Sequence, residues 1–201
     1  MAEKITIEIF RKKLPDELTK SLSEPDSRSD IGSGAALTAA SAAAYLTRAA
    51  ALTAAEKGSA ERLEFIQRNG EILRSYMIRL IDEDVKCRGP LRRAQKEGDE
   101  YKIEASMQTA AAIANEIINM MSQLLELSEE LSAMAAPEAK RFAAASADLA
   151  MGAIRACMRY VLALSRKSED ETYRYVVRRE NEITLQDCEE KAARILGRCD
   201  Y

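Results

Sequence analysis

The sequence predicts an all-α protein built from a few long helices. The 201 residues include only 8 Gly and 4 Pro, so turns are few, and the helix formers Ala, Leu, Glu, Arg and Met are plentiful. Apolar residues recur at steps of three and four, as in helices with one buried face. Helices of about thirty residues would span about 45 Å, longer than a compact sphere of this size needs. We therefore expect a single domain over residues 1–201, a long-helix bundle completed by homodimerisation.

The N-terminal part of the chain divides into a short segment, a loop and an Ala-rich helix. Residues 5–9 alternate in polarity as a strand does, yet Thr6 could cap a short helix that ends before Pro15, and we favour the helix. Residues 21–30 carry the Ser, Pro and Asp typical of a loop. From Ser33 to Glu56 small residues occupy every face. This pattern predicts a central helix that neighbours surround on most sides.

Four further helices are predicted along the rest of the chain. The first covers Ala60 to Arg88 and should end at Gly89-Pro90. A polar stretch leads to a helix over about residues 102–135. Pro137 is well placed as the first residue of the next helix, which runs to about Ser165. The charged segment from Glu169 to Arg198 is predicted to lie outermost.

Composition excludes several classes of function. The chain has no His, which removes the commonest metal ligand and general base, so we predict no metal site. A net charge of -3 gives no electrostatic footprint for nucleic acid. Arg48 interrupts the Ala-rich segment over residues 31–55, which argues against a membrane span. Four cysteines without a CxxC pair, and an N-terminus without a secretory signal, predict a cytoplasmic protein.

The start of the Ala-rich helix is the first candidate site. The run DIGSGAA places Asp30, Gly32, Ser33 and Gly34 where backbone N–H groups at the positive end of a helix attract an anion or a carbonyl oxygen. A purely structural helix cap uses the same residue types. Both interpretations are open from the residues alone.

Acidic and basic residues form the other candidates. Asp82 and Asp84 stand late in the helix that begins near residue 60, where the helix dipole disfavours negative charge, so they either face solvent or are kept for a role. Asp148 stands among Ala and Leu near the start of a narrow helix face. Arg92 and Arg93 belong to a basic cluster that either binds carboxylates or forms a solvated helix face.

The order of these pieces resembles the formiminotetrahydrofolate cyclodeaminase and methenyltetrahydrofolate cyclohydrolase family over roughly residues 5–180. The likeness is carried by the loop entering the Ala-rich helix, by the acidic end of the helix before Arg88, and by Ala147-Asp148-Leu149 in a small-residue helix. Departures are also clear. Of the family's glycine triplet only Gly32 remains, Arg88 stands where the family has Phe, and Tyr160 where it has Asn.

The resemblance implies a dimeric helical enzyme that acts on a tetrahydrofolate derivative without a cofactor. The reaction would be hydrolytic opening of 5,10-methenyltetrahydrofolate, or cyclisation of 5-formiminotetrahydrofolate with loss of ammonia. It implies acid–base work for a carboxylate, pterin or carbonyl contacts at the helix start, and a basic partner for the glutamate tail. The corresponding candidates are Asp84, Asp148 and Asp82 as acids, Asp30, Gly32, Ser33 and Gly34 at the helix start, and Arg92 or Arg93 for the tail.

The alternative is a helical dimer without catalysis, whose folate pocket has decayed and whose fold serves binding or assembly. The altered glycine loop favours this interpretation, because a loop without those glycines does not obviously let a pteridine approach its backbone. The retained Ser33, Asp84 and Asp148 favour the enzyme.

Overall fold

The structure, a computed structural model, describes residues 15–25, 27, 29–58 and 60–199. Within these ranges the chain forms helices and no strand, which confirms the all-α prediction. The short helix predicted before Pro15 lies outside the described residues. The helices are α1 (Pro15–Ser23), α2 (Ile31–Lys57), α3 (Glu61–Glu97), α4 (Glu100–Met134), α5 (Pro137–Ser165) and α6 (Glu171–Cys199).

The Ala-rich helix α2 lies at the centre of the bundle, as predicted. It packs against α3 and α5 along its length and also contacts α4. Its alanines and Leu46 are buried on several sides, so the helix has no conventional polar face. Helix α3 comes close to α2 at Gly70, where an added Cβ would lie 2.4 Å from the Thr47 hydroxyl oxygen. Small residues on both helices therefore set the spacing between them.

Helix α3 does not end at Gly89-Pro90, and that prediction is wrong. The helix continues to Glu97 with Pro90 inside it, and Gly98 in the left-handed conformation ends it. Proline removes one backbone donor, but Gly89 and Pro90 are both exposed, so water can reach the freed carbonyl. Leu91 and Ala94 are buried on the bundle beyond the proline. Tertiary packing of this last stretch outweighs the local signal.

The remaining helices follow the predicted order. Asp99 caps α4, its carboxylate accepting a hydrogen bond from the Lys102 backbone N–H at 3.0 Å. Pro137 is the first residue of α5, as predicted. The charged helix α6 packs on α5 and α4 through a sparse set of buried positions and is otherwise exposed, in agreement with its predicted outer place. Across the described ranges no helix combines the length and hydropathy that a bilayer crossing requires.

Candidate active site at the junction of α2 and α3

The buried carboxylate of Asp84 meets the first turn of α2. Asp84 is only 1% exposed. Its Oδ2 accepts a hydrogen bond from the Ser33 backbone N–H at 2.9 Å and another from the Ser33 hydroxyl at 2.6 Å. The first N–H groups of a helix have no partner within the helix, and the dipole makes this end positive. Ser33 therefore fixes a negative charge where the helix favours one, across 51 residues of sequence.

Gly32 lies directly against the same carboxylate. An added Cβ would stand 2.3 Å from Asp84 Oδ1 and 2.7 Å from Asp84 Cγ, so no side chain fits there. Gly34 differs, because an added Cβ would make an ordinary contact of 3.5 Å with Leu22 of α1. Of the two glycines, only Gly32 is required by the approach of the carboxylate.

Burial sets the acid strength of Asp84. Desolvation raises the pKa of its carboxyl above the ordinary value, and the two hydrogen bonds from Ser33 only partly oppose this shift. A buried carboxyl with a raised pKa holds and releases a proton closer to neutral pH than an exposed one does. This property suits a general acid or base.

Helix α5 brings Cys157 and Tyr160 to the same place. Burial, and secondarily the charge of Asp84, raise the pKa of the fully buried Cys157 thiol to about 12. The thiol therefore stays protonated, and Cys157 is a small core residue. Tyr160 is 6% exposed, and its hydroxyl has no hydrogen-bond partner among the described residues. A buried hydroxyl in this condition is costly, so it is a natural contact for a bound ligand or an ordered water.

Arg88 closes the site from the side of the loop before α2. It lies one helical turn after Asp84 on the same face of α3. Its guanidinium forms an ion pair with Asp30 and stands 5.7 Å from the ring centre of Tyr160. Sequence reasoning missed Arg88 and Tyr160 as site residues. The available signals were the spacing of four residues between Asp84 and Arg88 and, for both Arg88 and Tyr160, their departure from the family's Phe and Asn.

A cavity of about 340 Å³ adjoins this ion pair. Asp30, Gly34, Arg88 and Arg92 line it together with the loop between α1 and α2. Arg92 also donates a hydrogen bond to the backbone carbonyl of Ser27. Asp30, Gly34 and Arg92, three of the residues predicted for a substrate site, thus line one cavity. Arg93 is exposed and does not line the cavity.

The other two predicted acids lie apart from Asp84. Asp82 is buried, but it precedes Asp84 by two residues. Its side chain therefore projects from α3 about 200° around the helix axis from that of Asp84. Asp148 is exposed on α5, nine residues before Cys157, which places it about 14 Å further along the helix axis. Within one subunit the structure therefore groups Gly32, Ser33 and Asp84, and leaves Asp82 and Asp148 outside. Metal-ligating side chains form no cluster of three in the described part of the chain.

Comparisons with known proteins show the family and the fold of the chain. Fold and site define a helical-bundle protein with a buried carboxylate at a helix N-terminus. The family model for formiminotransferase-cyclodeaminase matches residues 16–182, well over half of the chain, and the chain belongs to that family. No curated protein sequence gives a significant match.

The fold also matches a solved structure, a formiminotetrahydrofolate cyclodeaminase from Thermotoga maritima. The TM-score is 0.87 and the match covers 94% of this chain and 96% of that chain, with 20% sequence identity. At that identity the likeness shows the shared fold alone.

Proposed function

We propose that this protein is a folate one-carbon enzyme that catalyses hydrolysis of 5,10-methenyltetrahydrofolate or cyclisation of 5-formiminotetrahydrofolate. The family supports a folate substrate. The observation that carries the proposal is the Asp84 carboxylate, buried and held by two hydrogen bonds from Ser33 beside the side-chain-free Gly32. A carboxylate in this setting stabilises a cationic substrate and transfers protons without a metal.

Both reactions make the same demand on Asp84. In the hydrolysis, a water attacks the methenyl carbon, Asp84 takes the proton that the water loses, and a carbon–nitrogen bond of the ring breaks. In the cyclisation, the N10 amine outside the pterin ring attacks the formimino carbon and loses a proton, while the departing amine gains one and leaves as ammonia. One carboxyl that accepts and then returns a proton serves either sequence. The methenyl compound is a cation, and the negative Asp84 favours its binding.

The surrounding residues supply binding contacts in this proposal. Gly32 presents its backbone to the pterin or its carbonyl, Ser33 orients the Asp84 carboxylate, and Gly34, Asp30 and Arg88 border the cavity beside them. Arg92, which also lines that cavity, binds a carboxylate of the glutamate tail, because a guanidinium binds such a group through two parallel hydrogen bonds. Entry of substrate requires the ion pair between Arg88 and Asp30 to open.

We also propose that the subunit works as a cytoplasmic homodimer. Helices α3 and α4 contain 37 and 35 residues and extend about 50 Å, well beyond the diameter of a compact domain of this length. The four cysteines form no disulfide, which suits a reducing compartment. Light scattering on the purified chain should give twice the subunit mass of 22.3 kDa. A mass of one subunit at micromolar concentration contradicts the dimer.

The test of the activity compares turnover by the wild type and by Asp84→Asn. Purified protein should accelerate the decay of the methenyltetrahydrofolate chromophore at neutral pH, or release ammonia from the formimino compound. Asp84→Asn should lower kcat by about a hundredfold or more, the usual contribution of a general acid or base. Glu83→Gln is the matched control, because Glu83 is exposed and its carboxylate pairs with Lys86.

Two further variants separate the predicted acids. We expect Asp82→Asn and Asp148→Asn to retain most of the activity, because neither side chain reaches the Asp84 centre of its own subunit. Equal losses of activity from Asp84→Asn and Glu83→Gln would contradict the assignment of Asp84.

The alternative is a non-catalytic binding module. Two observations favour it: the ion pair between Arg88 and Asp30 is closed, and Asp84 is only 1% exposed. Folate binding without turnover of either compound would establish that alternative.

A further inference from the structure

A second cavity lies between α5 and α6, away from Asp84. It measures about 710 Å³, within the range of small-molecule sites. Arg155, Arg159 and Leu162 of α5 line it. Cys157 and Tyr160, on the same helix, instead point towards Asp84. The two cavities are therefore separated by the body of α5.

The walls of this cavity carry an excess of positive charge. Five arginines and three glutamates line it. Arg155 pairs with Glu189 at 3.0 Å and Arg174 with Glu171 at 3.3 Å, so two of the arginines are neutralised within the groove. Glu182 pairs with Arg179, which stands outside it. The remaining three arginines form no ion pair among the described residues, although the whole chain has a net charge of -3. They are Arg159, Arg166 and Arg178.

The floor of the cavity is apolar. Met158, Leu162 and Leu185 form it, and the ring of Tyr175, 60% exposed, stands at its rim. Arg159 lies on α5 and Arg166 directly follows the last residue of α5, seven residues later, which places them about 10 Å apart along the axis, and Arg178 lines the same cavity from α6. Charged donors therefore surround an apolar strip. This layout matches one class of ligand, a small molecule with an apolar body and two negatively charged groups.

We propose that the groove between α5 and α6 is a second binding site, for a small organic dianion with a flat or aliphatic apolar body. Guanidinium groups bind carboxylates and phosphates through paired hydrogen bonds, and they stack on flat rings. Contact with the apolar floor removes apolar surface of the ligand from water, which favours binding. A simple inorganic anion lacks this second contribution and binds weakly.

The experiment uses naphthalene-2,6-dicarboxylate as the probe and calorimetry on the full chain as the readout. The dianion should bind, and its dimethyl ester, which has the same ring without charge, should bind at least tenfold more weakly. The affinity for the dianion should fall about fivefold in each of three variants, as expected for exposed charge pairs. They are Arg159→Gln, Arg166→Gln and Arg178→Gln. Arg68→Gln is the matched control, an exposed arginine on α3, and should leave the affinity unchanged.

Two results would overturn the proposal. One is equal affinity for the dianion and its ester, which would show a non-specific apolar contact. The other is an equal loss from Arg68→Gln and from the groove variants, which would show attraction to the net surface charge alone. Both readouts are independent of folate turnover, so they stand whether or not Asp84 is catalytic.

Discussion

At the residue scale, the carboxylate of Asp84 is buried where desolvation disfavours its charged form. Two hydrogen bonds from Ser33 offset part of this cost, and the pKa of the carboxyl nevertheless remains raised. A raised pKa means that the folded chain binds this proton more tightly than the unfolded chain. The contribution of Asp84 to stability is therefore present below the ordinary Asp pKa and is lost as the pH rises through the raised one.

The raised pKa of Asp84 predicts the thermal stability of Asp84→Asn, which is separate from its activity. The amide is neutral and its oxygen can still accept from Ser33, so the variant avoids the cost of the buried charge. At pH 7 we expect its Tm to exceed that of the wild type by a few degrees. The difference should shrink as the pH falls towards the ordinary Asp pKa of about 3.9. Calorimetric melts between pH 4 and 8 measure it.

Glu83→Gln is the control for these melts, because an exposed carboxylate has no desolvation cost to relieve. A variant Asp84→Asn that is less stable than the wild type at neutral pH would contradict this account. It would show that Ser33 and the dipole of α2 stabilise the charged form more than burial opposes it.

The separate parts of the site were predictable from the sequence, but their meeting was not. Gly32, Ser33 and Asp84 were each singled out locally, from the helix start and from an acid misplaced near a helix end. Their contact joins two helices across 51 residues and depends on how closely α2 and α3 pack. Arg88 and Tyr160 enter the site only through that packing and through α5. Asp148 stood in a suggestive local pattern, yet the length of α5 keeps it away from Asp84.

At the element scale, hydrophobic periodicity located the long helices well and turn chemistry located their ends less well. Pro137 begins α5 because a missing N–H costs nothing in the first turn. Pro90 breaks the same rule inside α3, where the burial of Leu91 and Ala94 keeps the chain helical. Local sequence rules predict a helix end at a proline from its backbone alone. They do not register the apolar contacts that its successors make with other helices.

The spacing between α2 and α3 was only partly predictable from the sequence. An Ala-rich helix without a polar face was enough to predict that α2 is central. The close contact at Gly70 of α3 was not predictable, since Gly70 is one of several small residues on its helix. The structure shows that Gly70 faces Thr47, with no room for a Cβ between them.

At the scale of the whole molecule, the outer helix α6 is much less buried than α2 and α5. The core surrounds α2, whereas α6 contributes only a few buried side chains. Ion pairs add to the attachment of α6, among them Lys191 with Glu126 and Arg194 with Glu129 of α4. Exposed pairs of this kind contribute at most about 1 kcal/mol each. The outer helix is therefore held by much less free energy than the centre.

This gradient predicts the order of opening in native-state hydrogen exchange. Amides of α2 should exchange only through global unfolding, and amides of α6 at least tenfold faster, through detachment of that helix as a unit. Ile195→Ala should speed exchange in α6 further, because a fully buried isoleucine truncated to alanine costs about 2 to 5 kcal/mol. Ile183→Ala on the same helix, 55% exposed, should change little. Equal protection of α2 and α6 would instead mean that the outer helix unfolds only together with the whole bundle.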